Sequence, residues 1–136
     1  MAHCFSDDKN KILLQDRKEI SKHGEEYGFF GGAREGNETP KENLTRELKE
    51  ELDIEVCKLK DLKFFKKYNV KHYDLDLDVD IDVFLSKMPN FPDLNVKEGK
   101  TVIIDFKHAF YLKMIKGDIE ILKEVYEHLK KIHQIV

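Results

Sequence analysis

The chain's apolar residues change their spacing several times, and each change marks an element. Lys11-Ile12-Leu13-Leu14-Gln15-Asp16 is a short apolar run suited to a buried strand, and the polar stretch after it, through Glu26, contains Gly24 and reads as a loop. Residues 27–30 form a second apolar run. Gly31-Gly32 follows directly and supplies backbone freedom where a bulky side chain would not fit. Over residues 39–52 three helix signals agree: Thr39 as N-cap, Pro40 at the first helical position, and Glu42 three residues after the cap to complete a capping box. Residues 62–70 are predicted as a strand. Residues 74–84 alternate as Asp-Leu-Asp-Leu-Asp-Val-Asp-Ile-Asp-Val-Phe, a period of two that means strand, with all the aspartates on one face.

Pro89 and Pro92 make residues 88–93 a loop, and residues 101–106 are β-branched enough for another strand. Gly117-Asp118 precedes a final helix, in which Ile119, Leu122, Val125, Tyr126, Leu129 and Ile132 recur at helical spacing and predict one apolar stripe against the sheet. Interleaved strands and helices point to a layered α/β or α+β domain.

Composition narrows the class. With 136 residues, 40% of them hydrophobic, the chain fits one domain with a real core. Its 24 basic and 27 acidic residues nearly cancel to a formal charge of -3, which argues against a general nucleic-acid binder. Cys4 and Cys57 lie far apart without C-x-x-C spacing, so neither a disulfide framework nor a zinc site is expected, and both read as reduced thiols. No signal-like apolar region follows a basic start, and no membrane-length apolar stretch occurs, so a soluble, cytoplasmic protein is expected.

The chemistry concentrates on the helix that begins after Thr39. Glu47, Glu50 and Glu51 stand at i, i+3 and i+4, which places three carboxylates on one face within reach of a common point, beside an anchoring stripe of Leu44, Leu48 and Leu52. Clustered carboxylates repel one another unless solvent, basic partners or a hard divalent cation intervene. Taken alone, a Glu-rich helix is most often a solvated acidic face.

Context changes that reading. From Gly32 the chain runs through five residues to Glu38, then seven more to Arg46-Glu47-Leu48-Lys49-Glu50-Glu51-Leu52-Asp53-Ile54. This resembles the Nudix box, G-x5-E-x7-R-E-U-x-E-E-x-G-U with U aliphatic, at every specified position but one. The exception is Asp53, where the family pattern has a glycine that ends the helix at positive φ; aspartate tolerates that conformation better than most residues, so a modest structural cost is expected.

The resemblance implies a Nudix-type α/β/α sandwich around a mixed sheet, with the box forming a loop, helix and loop that bind metal and pyrophosphate. It implies Glu47, Glu50 and Glu51 as ligands of Mg2+ or Mn2+, with a backbone carbonyl of Gly32 added, Arg46 orienting a glutamate through a salt bridge, and Glu38 holding the loop. The base that takes the water's proton is Glu50 or Glu51, or Glu98 on a later loop, where an exposed carboxylate with no catalytic part is the plainer alternative. Tyr73 is a candidate for stacking on a substrate base, against ordinary sheet packing.

The aspartates at 74, 76, 78, 80 and 82 diverge along the strand and do not converge on one ion; a solvated face is expected, from which a few extend the acidic site if the strand borders the cleft. The activity expected from the resemblance is that of a MutT-like nucleoside triphosphate pyrophosphohydrolase with a small-molecule nucleotide as partner and a homodimer as the possible assembly. Hydrolysis of dinucleoside polyphosphates, ADP-ribose or nucleotide sugars, and non-catalytic nucleotide sensing, are the rivals. The resemblance also lowers the ADP-ribose reading, because the proline that follows the box at a set distance in many ADP-ribose hydrolases of the family is missing: no proline occurs between Pro40 and Pro89.

Overall fold

The computed structural model describes residues 2–6, 11–21, 24–32, 34–53, 55, 59–72, 77–87 and 100–132. Its elements follow in the order β1 (Ala2–Ser6), β2 (Lys11–Asp16), β3 (Tyr27–Gly28), α1 (Pro40–Leu52), β4 (Lys63–His72), β5 (Leu77–Lys87), β6 (Lys100–Asp105), α2 (Phe106–Ala109) and α3 (Lys116–Lys131). All six strands join one mixed sheet. β1 runs parallel to β5, while the pairings β1 with β2, β2 with β3, β2 with β6 and β4 with β5 are antiparallel.

Alternation along the strands divides the core in two. Ile12 and Leu14 of β2, with Val83 and Leu85 of β5, pack against Ile121, Leu122, Val125, Tyr126 and Leu129 of α3. Leu13 and Phe84, pointing the opposite way, join Phe30 and the α1 residues Leu44, Leu48 and Leu52. One helix thus covers each face, the α/β/α arrangement, and it explains the unbroken apolar run of β2: a strand buried on both faces has no solvent side on which to alternate.

α1 begins as its signals require. Thr39 accepts from the Glu42 backbone N–H while the Glu42 side chain accepts from the Thr39 N–H, and Pro40 opens the first turn. It ends at Asp53, which adopts the left-handed conformation at φ 52° and ψ 38°. The backbone N–H of Asp53 reaches the carbonyls of Leu48 and Lys49, so aspartate caps the helix in the geometry that a glycine there would provide.

Several details differ from the sequence reading. β1 and the short α2 have no counterpart in it. β6 stops at Asp105, because Phe106 turns into α2 and is itself fully buried. α3 starts at Lys116 and takes Gly117 and Asp118 into its first turn; Ile121 belongs to its buried stripe, whereas Ile132 is exposed. Asp82 is buried in place of lining a solvated face, and only 3% of its surface is accessible. Asp74 and Asp76 lie outside the described residues. Among the described residues no helix is long and apolar enough to cross a membrane.

Candidate active site

Gly31 and Gly32 bring the backbone onto the face of α1 that carries its glutamates. Gly31 has a φ of 137°, which a side chain would disfavour, and its N–H donates to Glu51 Oε2 at 3.2 Å. At Gly32 the constraint is space: a Cβ there would sit 2.5–2.7 Å from the Glu47 carboxyl atoms. Glu47 and Glu51, one turn apart, are therefore folded inward against the glycine loop, with residue exposures of 9% and 7%.

Arg46 ties the loop to the helix. Its Nε and Nη2 donate to both oxygens of Glu38 at 2.9 and 3.1 Å, a two-pronged contact suited to the planar guanidinium. Nη1 donates to Glu47 Oε1 at 2.9 Å and Glu50 Oε2 at 3.2 Å, and it lies 3.5 Å from Glu35 Oε1. Glu38 also accepts from the Glu35 backbone N–H at 2.7 Å, which closes the turn before α1. The Arg46 hydrogen bonds, followed by that backbone bond, hold the Glu38 carboxyl below its ordinary range; the same carboxylates push Arg46 upward against its partial desolvation.

Gly32, Glu38, Arg46, Glu47, Glu50 and Glu51 are thus brought together by one loop and one helix. The three glutamates do not share a single point, and among the described residues no three carboxylate, imidazole or thiol groups form a ready cation cage. Glu47 and Glu51 face the glycines, whereas the Glu50 side chain stays 59% exposed and leans on Arg46. Like charges one turn apart are here relieved by separate donors, the Arg46 guanidinium and the Gly31 N–H. Donor chemistry still fits a hard divalent cation, since carboxylate and backbone oxygens are what magnesium and manganese prefer. Glu98 and Tyr73 lie outside the described residues.

Two polar arrangements went unforeseen in the sequence. Arg34, between the glycines and Glu38, donates from Nη2 to the buried Asp82 Oδ2 at 3.1 Å, linking the loop to β5. Alternation placed Asp82 on one face of its strand but carried no sign that the Arg34 loop covers that face. At the end of β2, Arg17 bonds to the buried side chains of Gln15 and Glu25, at 3.2 Å to the latter. Asp118, at the start of α3, is pushed up to about 7, chiefly by desolvation and further by Glu25, against the pull of Arg17.

Fold and site together define a Nudix-type α/β/α protein, with its loop, helix and loop laid on one face of the sheet. A NUDIX domain model matches residues 1–109, and the chain belongs to the Nudix family. It is 42% identical over 62 residues to an 8-oxo-dGTP diphosphatase of Proteus vulgaris, a match that covers 44% of this chain and 55% of that relative. The chain therefore spans about half the length of the curated relative it matches. A solved MutT structure, from work on Aliivibrio salmonicida and Vibrio cholerae, superposes with a TM-score of 0.70 at 19% identity over 93% of this chain and 94% of that one. A C. elegans Ap4A hydrolase superposes with a TM-score of 0.71 at 14% identity over 96% and 97%. Neither likeness reaches beyond the fold, which evidently carries more than one substrate class.

Proposed function

We propose that this protein is a divalent-metal-dependent hydrolase of pyrophosphate bonds in nucleotide-like substrates, and specifically a MutT-like enzyme that converts a nucleoside triphosphate and water into the monophosphate and pyrophosphate. The observation that carries the reading is the packing of Glu47 and Glu51 against Gly32 and Gly31 on a helix that matches the Nudix box. The identity to an 8-oxo-dGTP diphosphatase supports the triphosphate preference. A cytoplasmic location accords with such a substrate.

Glu47, Glu50, Glu51 and the Gly32 carbonyl would hold Mg2+ or Mn2+. When bound there, such an ion would supply neutralisation of the diphosphate charge and a lowered pKa for a nearby water. Arg46 positions Glu47 and Glu50, and Glu38 fixes Arg46. Glu50 combines solvent exposure with a tether to Arg46 and is the leading candidate to accept the water's proton, with Glu98 the second. Tyr73 is proposed to stack on the substrate base.

Product release from a panel of nucleoside triphosphates, oxidised dNTPs, Ap4A, ADP-ribose and nucleotide sugars, with magnesium, manganese or EDTA, tests the reading. Metal-dependent monophosphate and pyrophosphate from triphosphates is the expected outcome. Turnover that persists in EDTA, or confinement to another substrate class, contradicts it.

A further inference from the structure

Asp82 and Arg34 form an ion pair that the catalytic reading does not use. Asp82 sits two residues before Phe84 on β5, hence on the same face of the sheet, and Phe84 packs beneath α1. A carboxylate buried there is costly unless a cation answers it. Arg34 does so at 3.1 Å while its own side chain remains 41% exposed. Its neighbours fix its location: Gly32, two residues before it, packs on Glu47, and Glu35, directly after it, approaches Arg46. A guanidinium has five N–H donors, and among the described residues Arg34 uses one, on Asp82. A half-exposed cation, anchored at one end by a buried carboxylate and placed at the rim of an acidic site, suits the oxygens of a phosphate chain.

We propose that Arg34 is the phosphate-binding arm of this loop, contacting a non-bridging oxygen of the substrate's di- or triphosphate, and that Asp82 is the positioning residue that presents it. The proposal rests on the hydrolase reading for the identity of the substrate. Its chemistry requires only a phosphoanhydride anion.

Five proteins test it: the wild type, Arg34→Lys, Arg34→Ala, Asp82→Asn, and the double variant Arg34→Ala/Asp82→Asn, which leaves no unpaired buried carboxylate. KM and kcat are measured for the nucleotide hydrolysed, affinity for inorganic pyrophosphate with magnesium chloride by calorimetry, and Tm as a folding control. The double variant should raise KM and weaken pyrophosphate binding on the order of tenfold or more, with kcat changed by less than about threefold. Arg34→Lys should recover part of the affinity, as a cation without the fork. Asp82→Asn should shift KM in the same direction, and adding Arg34→Ala to it should reach the level of Arg34 loss alone, the non-additivity of a residue that acts through its partner. A folded double variant with KM and pyrophosphate affinity within about twofold of the wild type overturns the proposal and leaves the pair a loop latch, whatever Tm does. A wild type that hydrolyses no nucleotide contradicts the hydrolase reading instead; pyrophosphate affinity then still decides for or against Arg34, and a wild type that does not bind pyrophosphate decides against it.

Discussion

The Glu47 carboxyl group occupies the space in which a side chain at Gly32 would begin, with its atoms 2.5–2.7 Å from the position of such a Cβ. Glycine is thus required here for room, and the requirement comes from the residue proposed to hold the metal. The atoms in the way are the far end of a flexible side chain, so the fold yields easily and the site does not. Gly32→Ala should lower kcat/KM by about a hundredfold or more while Tm falls only a few degrees, since the change displaces a functional carboxylate and leaves the core intact. Turnover near the wild-type rate would show that Glu47 need not rest against the glycine loop.

Asp53 ends α1 in the left-handed conformation that the family's glycine adopts freely. For a residue with a Cβ that conformation costs about 1 kcal/mol, and the Lys49 ion pair at 2.9 Å, half exposed to water, offsets little of it. Asp53→Gly should raise Tm by a few degrees and leave kcat/KM unchanged. A lower Tm would mean that the Asp53 side chain contributes more to the helix end than its backbone strain removes.

Asp118 gives stability a slope against pH. Its folded value of about 7 lies above the ordinary 3.8, so the folded state holds a proton that the unfolded state has released between those two values. Stability from this group is therefore highest at acid pH and declines as pH rises towards 7. Asp118→Asn should flatten that decline and be the more stable protein at pH 8, as read from Tm across a pH series. Parallel Tm curves for the two proteins would contradict the shift.

Glu38 acts with the opposite sign. Arg46 lowers its folded pKa below the ordinary 4.5, so its contribution is present above that value and is lost as pH falls through the folded one. Glu38→Gln should cost stability at neutral pH, and its deficit against the wild type should shrink steadily in acid. A constant deficit from pH 7 to strongly acid solution would assign the cost to something other than the ion pair.

Much of the machinery is legible in the sequence because it is local. The caps of α1, the glycine pair and the glutamate spacing each depend on residues within a turn or two of one another. β2 was equally plain, since Ile12, Leu13 and Leu14 can all be apolar only in a strand covered on both sides. What stayed hidden is set by distant segments. β1 shows no periodicity over its short length, and its place comes from parallel pairing with β5, far along the chain. Alternation put Asp82 on one face of β5 without revealing that Arg34, from a separate loop, would cover it. Ile121 and Ile132 both fit a helical stripe on paper, and only the position of the sheet selects Ile121.

The inward-facing glutamates of α1 are proposed to act through a divalent cation. Nucleoside triphosphate turnover by the wild type, Glu47→Gln and Glu51→Gln across a magnesium titration tests it most directly. Glutamine keeps the size and removes the charge, so both variants should stay folded while turnover falls by about two orders of magnitude or more and the magnesium requirement shifts to higher concentration. Folded variants with wild-type turnover and an unchanged magnesium profile would contradict it.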